Sequence, residues 1–520
     1  MAETAPSEIA TDQLPAPTAY VRRIIIEPAK HLSKREKRQL ISPYLNSFLS
    51  TERIQALIND VRAHYIIKGY PTTQVYVVAD PADPTGTLRL TVIHGFIEKI
   101  RLGNNRTWER RQIATAFPCL QGGSLYLPAL SQGIDVMNNV PSNGASMNIL
   151  PGNLTGGSVI QINNPVAHRW RVDLGVDNLG EKASGKWRGK VNIGLDNLMS
   201  LHDVWTLHAS FNKAKKVWKK SKQKNIALHN ASFMAGLAFS IGAYRYSASY
   251  NQSHALSPAQ AHIETYIYKT VNNSLAFHLK RPLFQGMAYK TFAEIGLTRK
   301  ESRSWLEDTL IGNQSRKLSV ADGTLSYTGV LAGGQTNASL SYHQGLTIWG
   351  APKDDPTADP NAFKAQFRQL NLSLGWSRLI PLTAQRWLQY RLQYASQHSR
   401  DRLYSSEQMS LSGLDRIRGL PHTVSHDKGL FVRQEIALSG LLHFSRLTAP
   451  FQPFIGLDAG YVLDKEPMIN PAMMGWAAGG RYQGHGIDSE VSYARMIGGM
   501  SDNEYKIYMN MNISLNQLFY

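Results

Sequence analysis

From about His168 onward this chain alternates apolar and polar residues in segments of about ten, a pattern that few folds admit. Trp170, Val172, Leu174 and Val176 are apolar, while Arg169, Arg171, Asp173 and Asp177 between them are charged. Trp187, Val191, Ile193 and Leu195 alternate likewise with Lys186, Arg188, Lys190 and Asn192. Trp205, Leu207, Ala209 and Phe211 do the same against Thr206, His208, Ser210 and Asn212. In the last segment Ile507, Met509, Met511, Ile513, Leu515 and Phe519 oppose Lys506, Tyr508, Asn510, Asn512, Ser514 and Asn516. A β-strand sends successive side chains to opposite faces, so each segment has one greasy surface and one wet one.

A soluble sandwich would bury the greasy face against a second sheet and use shorter strands. An outer-membrane barrel puts that face in lipid, lines its lumen with the other, and closes so that no edge is left unpaired. No run reaches the roughly 18 apolar residues of a membrane helix. Sixteen alternating segments can be counted, an even number as in bacterial barrels. With the first strand rising from the periplasm, the long polar connections 213–224, 254–262, 302–316, 351–361 and 400–427 all fall on the outer side. The expected fold is mainly β: a 16-stranded transmembrane antiparallel barrel over residues 165–520.

The residues before the barrel read differently. A strand at 20–27 precedes helical patterns at 34–45 and 51–68, the second carrying Ile54, Leu57, Ile58, Val61, Tyr65 and Ile66 at helical spacing. Gly69 ends it as a C′ glycine, and strands at 73–78 and 87–93 follow. The order then recurs, with a strand at 96–102, helices at 107–117 and 130–139, and strands at 145–150 and 158–162. Two copies of one small α+β module are expected, over residues 19–95 and 96–164, after an N-terminal segment of residues 1–18. The start, Met1-Ala2-Glu3-Thr4-Ala5-Pro6, has neither a basic nor an apolar leader region, so a signal peptide is expected to have been removed.

Two words in the last quarter stand out. Arg416-Ile417-Arg418-Gly419-Leu420 lies in the long polar loop, and Gly456-Leu457-Asp458-Ala459-Gly460 lies in the thirteenth alternating segment. On a strand Gly456, Asp458 and Gly460 share one face, so the carboxylate stands clear between two residues without side chains. An arginine on an infolded loop could reach it and act as a latch.

Charge and motifs bound the chemistry. Fifty-six basic against 38 acidic residues give a net charge of +18, which suits anionic partners. For a barrel the expected anionic partner is lipopolysaccharide, with no nucleic acid. Seven lysines between Lys213 and Lys224 form either a site for lipopolysaccharide phosphates or a solvated loop. The single cysteine, Cys119, rules out an intrachain disulfide and is expected to be buried. No Gly-x-x-x-x-Gly-Lys-Ser/Thr, Gly-x-Ser-x-Gly or His-Glu-x-x-His run occurs, so neither an enzyme, a cofactor nor a metal site is expected.

These residues carry a resemblance. Tyr65-Ile66-Ile67-Lys68-Gly69-Tyr70 resembles the end of a POTRA helix, and Gly95 through Ile100 with Gly103-Asn104 resembles the join between two POTRA domains. With Arg418-Gly419, Gly456-x-Asp458-x-Gly460, and the first-hairpin pattern Leu174 to Gly180 with Leu195-Asp196-Asn197-Leu198, the chain resembles the TpsB transporters of two-partner secretion. The resemblance implies a bacterial outer-membrane transporter that exports a large TpsA-type exoprotein (an adhesin, haemolysin or contact-dependent inhibition toxin) without ATP. Cargo capture is expected in the modules, by main-chain hydrogen bonds to an extended segment at the exposed edge of the strand 73–78 beside the helix ending at Tyr65. Tyr65, Gly69, Tyr70, Val75 and Val77 are the residues concerned, and a sixth-loop latch is expected of Arg418 on Asp458. A terminal Phe519-Tyr520 resembles the signal read by the barrel-assembly machinery. Leu420 stands where relatives carry an aromatic, so looser loop packing is expected there. About eighteen residues precede the first strand, so the pore-plugging helix and linker of many relatives are expected to be absent or trimmed in this sequence. An assembly factor of the same superfamily and a passive porin-like channel are the competing readings.

Overall fold

The structure is a computed structural model that describes residues 19–78, 86–103, 106–180, 185–212, 215–219, 224–260, 265–286, 288–357, 359, 361–420, 422–440, 442–444, 447–463, 471–497 and 505–518. Its first module runs β1 (Arg23–Glu27), α1 (Lys34–Ile41), α2 (Thr51–Ile67), β2 (Gln74–Val78) and β3 (Thr87–Ile93). The sheet order is β1-β3-β2, with β1 parallel and β2 antiparallel to β3. The second module runs β4 (Phe96–Leu102), α3 (Thr107–Ala116), α4 (Leu127–Asn138), β5 (Ser146–Pro151) and β6 (Gly157–Asn163). Its order is β4-β6-β5, again with one parallel and one antiparallel pair. The repeat therefore extends from element order to strand pairing.

Helical periodicity places the first core. Leu57, Ile58, Val61 and Tyr65 recur on one face of α2 and are buried with Ile24, Ile26, Val75, Leu90 and Val92 of the sheet. The helix expected over 34–45 stops at Ile41 and tightens into a 3-10 turn at Ser42–Tyr44, because Pro43 has no N–H to continue it. Cys119, expected to be buried, is exposed. It sits in the turn after α3 at φ 58°, and the second core forms without it.

Glu36 fastens α1 to α2. It accepts from the Ser33 N–H at 2.8 Å in a capping box, and from Lys68 Nζ at 2.9 Å. The Lys68 bond, helped by Ser33, holds its carboxyl down at about 2. Because the folded value lies below the unfolded one, this contribution is whole above about 4.5 and fades as pH falls toward 2. Glu36→Gln is expected to leave less acid-induced loss of module stability across that window, read by circular dichroism on the full chain.

The chain divides into two compact units, one holding both modules and the other holding Asn139–Asn143 with the barrel. In the barrel, β7 (Trp170–Asp177), β8 (Arg188–Asp196), β9 (Val204–Asn212), β10 (Ala231–Ile241), β11 (Tyr244–Gln260) and β12 (Thr265–Gln285) come first. Then follow β13 (Tyr289–Leu306), β14 (Arg316–Leu331), β15 (Gly334–Leu346), β16 (Arg368–Thr383) and β17 (Arg386–Ser399). Last are β18 (Gly429–Gly440), β19 (Phe451–Val462), β20 (Ala472–Gly484), β21 (Ile487–Ile497) and β22 (Tyr505–Ser514). Each is antiparallel to its neighbours, and β22 returns to β7, so among the described residues sixteen strands close a barrel. Lipid-side residues such as Ile295, Ile455 and Leu457 are exposed, while inward residues such as Asp458 and Tyr508 are covered within the lumen.

Closure has its own chemistry. β22 pairs with β7 only from Asn510↔Asp177 to Ser514↔Asp173, five residue pairs, against nine between β21 and β22. Two carboxamides lengthen the seam. Asn178 donates to Ile507 O at 2.8 Å and accepts from Met509 N at 2.9 Å. Asn516 donates to Trp170 O at 2.7 Å and accepts from Val172 N at 3.0 Å. Leu515, expected to continue the last strand, instead opens a helical turn at Leu515–Leu518, which lets Asn516 reach β7. Phe519, Tyr520, residues 1–18 and part of the lysine loop lie outside the described residues. Of that loop, Lys215–Lys219 and Lys224–Leu228 are described, and they pair as a hairpin.

Candidate functional site: an arginine clamped inside the barrel

The long loop between β17 and β18 enters the lumen and is held on two walls. Glu407 accepts from Lys300 Nζ of β13 at 2.9 Å. On the other side Arg418 reaches β19, where the pleat turns Gly456, Asp458 and Gly460 inward. Arg418 Nε donates to Asp458 Oδ2 at 2.7 Å, Nη2 to Oδ1 at 2.8 Å, and its backbone N–H to Oδ2 at 3.0 Å. Both side chains are fully covered, at 0 % exposure. A bidentate, charge-assisted pair of this kind is among the stronger contacts a protein makes.

The glycines in the two words have different uses. A Cβ on Gly456 would collide with the Arg418 guanidinium, and one on Gly460 with Ile417 Cδ1, so the loop tip lies flat on the wall only where side chains are missing. Gly419 has φ 86°, a conformation L side chains rarely adopt, and a Cβ there would stand 2.6 Å from the Arg495 backbone. Its N–H donates to Tyr508 Oη of β22 at 3.2 Å. Leu420 corrects the expectation of looser packing. It is buried with Leu411, Ile417, Phe431, Val462 and Met473, an apolar cushion that a branched aliphatic fills without a ring.

Glu435 of β18 is the second anchor, and sequence reasoning missed it. It accepts from Arg418 Nη1 at 3.1 Å, Arg481 Nη2 at 3.0 Å and Arg433 Nη2 at 3.3 Å, with Arg391 at 3.6 Å. Arg481 in turn donates to Glu490 at 2.9 Å and lies 4.0 Å over the Phe454 ring. Strand register brings Glu435, Arg481, Glu490 and Tyr508 together from four strands, and no local spacing shows it. One signal was available: Arg433 and Glu435 put both charges on the wet face of a segment that is otherwise largely apolar.

The residues assigned to cargo capture fall into two groups. Tyr65 and Val75 are core residues, with 0 % and 2 % exposure, so their side chains are not offered to a partner. Gly69 and Tyr70 sit at the join of the two modules. Gly69 O accepts from Leu127 N at 2.8 Å, and the Tyr70 ring stands 5.2 Å from that of Tyr126. Val77 is half-buried on the same strand as Val75. What β2 does present is its edge, since β3 is its sole partner in the sheet, together with the outward side chains of Gln74, Tyr76 and Val78. Among the described residues no group of three or more His, Cys, Asp or Glu is placed to hold a metal.

Comparison with known proteins agrees with this architecture. The family described as haemolysin secretion/activation protein ShlB/FhaC/HecB matches residues 156–482, a ShlB-type POTRA domain matches residues 20–95, and a further POTRA domain matches residues 96–151. The outer membrane transporter CdiB of Dickeya dadantii (strain 3937) is 29% identical over 430 residues, covering 82% of this chain and 74% of that protein. The hemolysin transporter protein ShlB of Serratia marcescens is 29% identical over 456 residues, covering 85% and 76%. The solved structure of CdiB from Escherichia coli has a TM-score of 0.83 at 22% identity, covering 98% of this chain and 93% of that one, a likeness of fold. With a family match over more than half its length, two POTRA modules and a closed 16-stranded barrel, the chain belongs to the ShlB/FhaC/HecB family, the TpsB outer-membrane transporters of two-partner secretion.

Proposed function

We propose that this transporter exports one large partner protein, unfolded, from periplasm to cell surface, and that it does so without nucleotide hydrolysis. The observation that carries the reading is the loop tip clamped in the lumen by Arg418 on Asp458, a plug-like arrangement that holds the loop at a fixed depth in the pore. Relatives named as transporters of haemolysin and as CdiB support a partner of the same kind, a TpsA-type exoprotein. Forward movement then comes from the cargo folding outside. Phe519 and Tyr520 are proposed as the signal read by the barrel-assembly machinery when the chain is inserted.

Capture is assigned to the backbone edge of β2, which offers main-chain groups to an extended segment without demanding particular side chains. Tyr76 is 48% exposed, so Tyr76→Pro removes an N–H from the edge strand without taking a side chain from the core. At about 1 kcal/mol per hydrogen bond, it is expected to lower surface appearance of the partner about fivefold or more. Tyr76→Ala, which keeps the N–H, should secrete nearly as the parent does, and the barrel should show normal heat-modifiable migration in both. Equal secretion by the proline variant would move capture elsewhere. A partner that reached the surface without this chain would overturn the export reading itself.

A further inference from the structure

β11, β12 and β13 are the longest strands of the barrel, with 17, 21 and 18 residues against 8 or 9 in β7 to β9, and β14 beside them in the same wall has 16. About ten residues cross the hydrocarbon, so the outer end of this wall rises past the apolar band into the headgroup layer. On the lipid-side face of β13 the residues change with height. Ile295 and Leu297, 62% and 39% exposed, are followed on the same face by Arg299, Glu301, Arg303 and Trp305.

On β12, Phe277 and Leu275, the latter opposite Arg299, are followed on the same face by Asn273, Val271 and Lys269. On β14, Leu325 lies opposite Ala293 and Lys317 opposite Glu301. Register sets Lys317 and Asn273 on either side of Glu301, and Lys269 beside Trp305. Arg303 Nη2 lies 2.6 Å from Glu301 Oε1, and Arg299 Nη2 lies 3.7 Å from Oε2. Lys269 Nζ stands 5.0 Å from the Trp305 ring centroid. Arg299, Arg303, Lys317 and Lys269 share this face with Glu301, and Glu307 and Asp308 follow in the turn above, so this end of the wall is cationic by one charge. The guanidinium-bearing side chains of Arg299 and Arg303 remain 44% and 57% exposed.

We propose that this outward face binds the phosphate groups of outer-leaflet lipopolysaccharide. Three features point to that occupant rather than to a solvated rim. The charge begins with Arg299, one strand repeat above exposed Leu297 and opposite exposed Leu275, where lipid phosphates meet the end of the acyl chains. Glu301 pairs with both arginines, whose side chains keep exposed surface for phosphate oxygens, which guanidinium matches in pairs. Trp305 adds an aromatic ring at the level where membrane proteins place them. The inference rests on the outer-membrane setting of the barrel and is independent of what the pore exports.

The test is lipid binding by the full chain in neutral detergent, read by native mass spectrometry with lipid A carrying both phosphates. The triple variant Arg299→Gln/Arg303→Gln/Lys317→Gln is expected to bind roughly tenfold or more weakly, since each cation near an anionic headgroup contributes substantially. Arg303→Gln alone, a change at the most exposed of the three, is expected to weaken binding several-fold. Dephosphorylated lipid A should bind the parent weakly. Equal retention of phosphorylated lipid A by parent and triple variant would overturn the proposal, as would equal binding of dephosphorylated lipid. Phosphatidylglycerol competing mole for mole would also sink it, leaving only a general anionic-lipid patch. Secretion of the partner is expected to continue in these variants, so failure of lipid binding and failure of the export reading give different results.

Discussion

Arg418→Met and Asp458→Asn are each expected to reduce secretion to near background and to destabilise the barrel by about 3–5 kcal/mol, because each strands a buried charge. The double variant should cost no more than either single, since no charge is then left unpaired in the lumen. Thermal loss of heat-modifiable migration measures the first quantity, and surface appearance of the partner the second. Full additivity of the two singles would show that the side chains act independently, against the latch. Reversing the pair, Arg418→Asp with Asp458→Arg, is expected to recover only part of the function. Glu435 lies 3.1 Å from Arg418 and would repel an acid there, while Arg433 sits opposite Asp458 in register and would repel a base.

Glu435→Gln is expected to have the second largest effect, about 3 kcal/mol, although the substitution keeps the side chain's shape. Its carboxylate is the shared counter-charge for Arg418, Arg433 and Arg481, with Arg391 close by. Removing it leaves Asp458 and Glu490 to balance that group. The variant barrel in a planar lipid bilayer should therefore shift its reversal potential toward anion selectivity. Glu490→Gln should shift it less, because Glu490 contacts one arginine where Glu435 contacts several. Equal shifts from the two variants would argue against Glu435 as the hub.

The barrel could be read from the sequence because lipid on one side and water on the other impose a local rule. The segment expected at 204–212 is the strand Val204–Asn212, and the thirteenth segment does carry Asp458 inward. The latch words were legible for a similar reason, as only glycine leaves room for an arginine lying flat on a strand. Glu435, Arg481 and Tyr508 were not, because every inward face is polar and register alone decides which of those residues meet. The capture residues divide by burial. Tyr65 belongs to the same helical stripe as Leu57, Ile58 and Val61, so its own periodicity already placed it in the core. The exposed edge expected at 73–78 is the strand Gln74–Val78, which the sheet order leaves paired on one side only.

A cylinder gives way where its rungs are fewest, and here that line is the meeting of the first and last strands. The ladder there has five residue pairs and one further main-chain bond, from Asn178 N–H to Met509 O at 3.1 Å, and the carboxamides of Asn178 and Asn516 add rungs at either end. The strength with which the wall is shut is thus written partly in side chains, open to adjustment one residue at a time, instead of being fixed by the backbone that every strand shares.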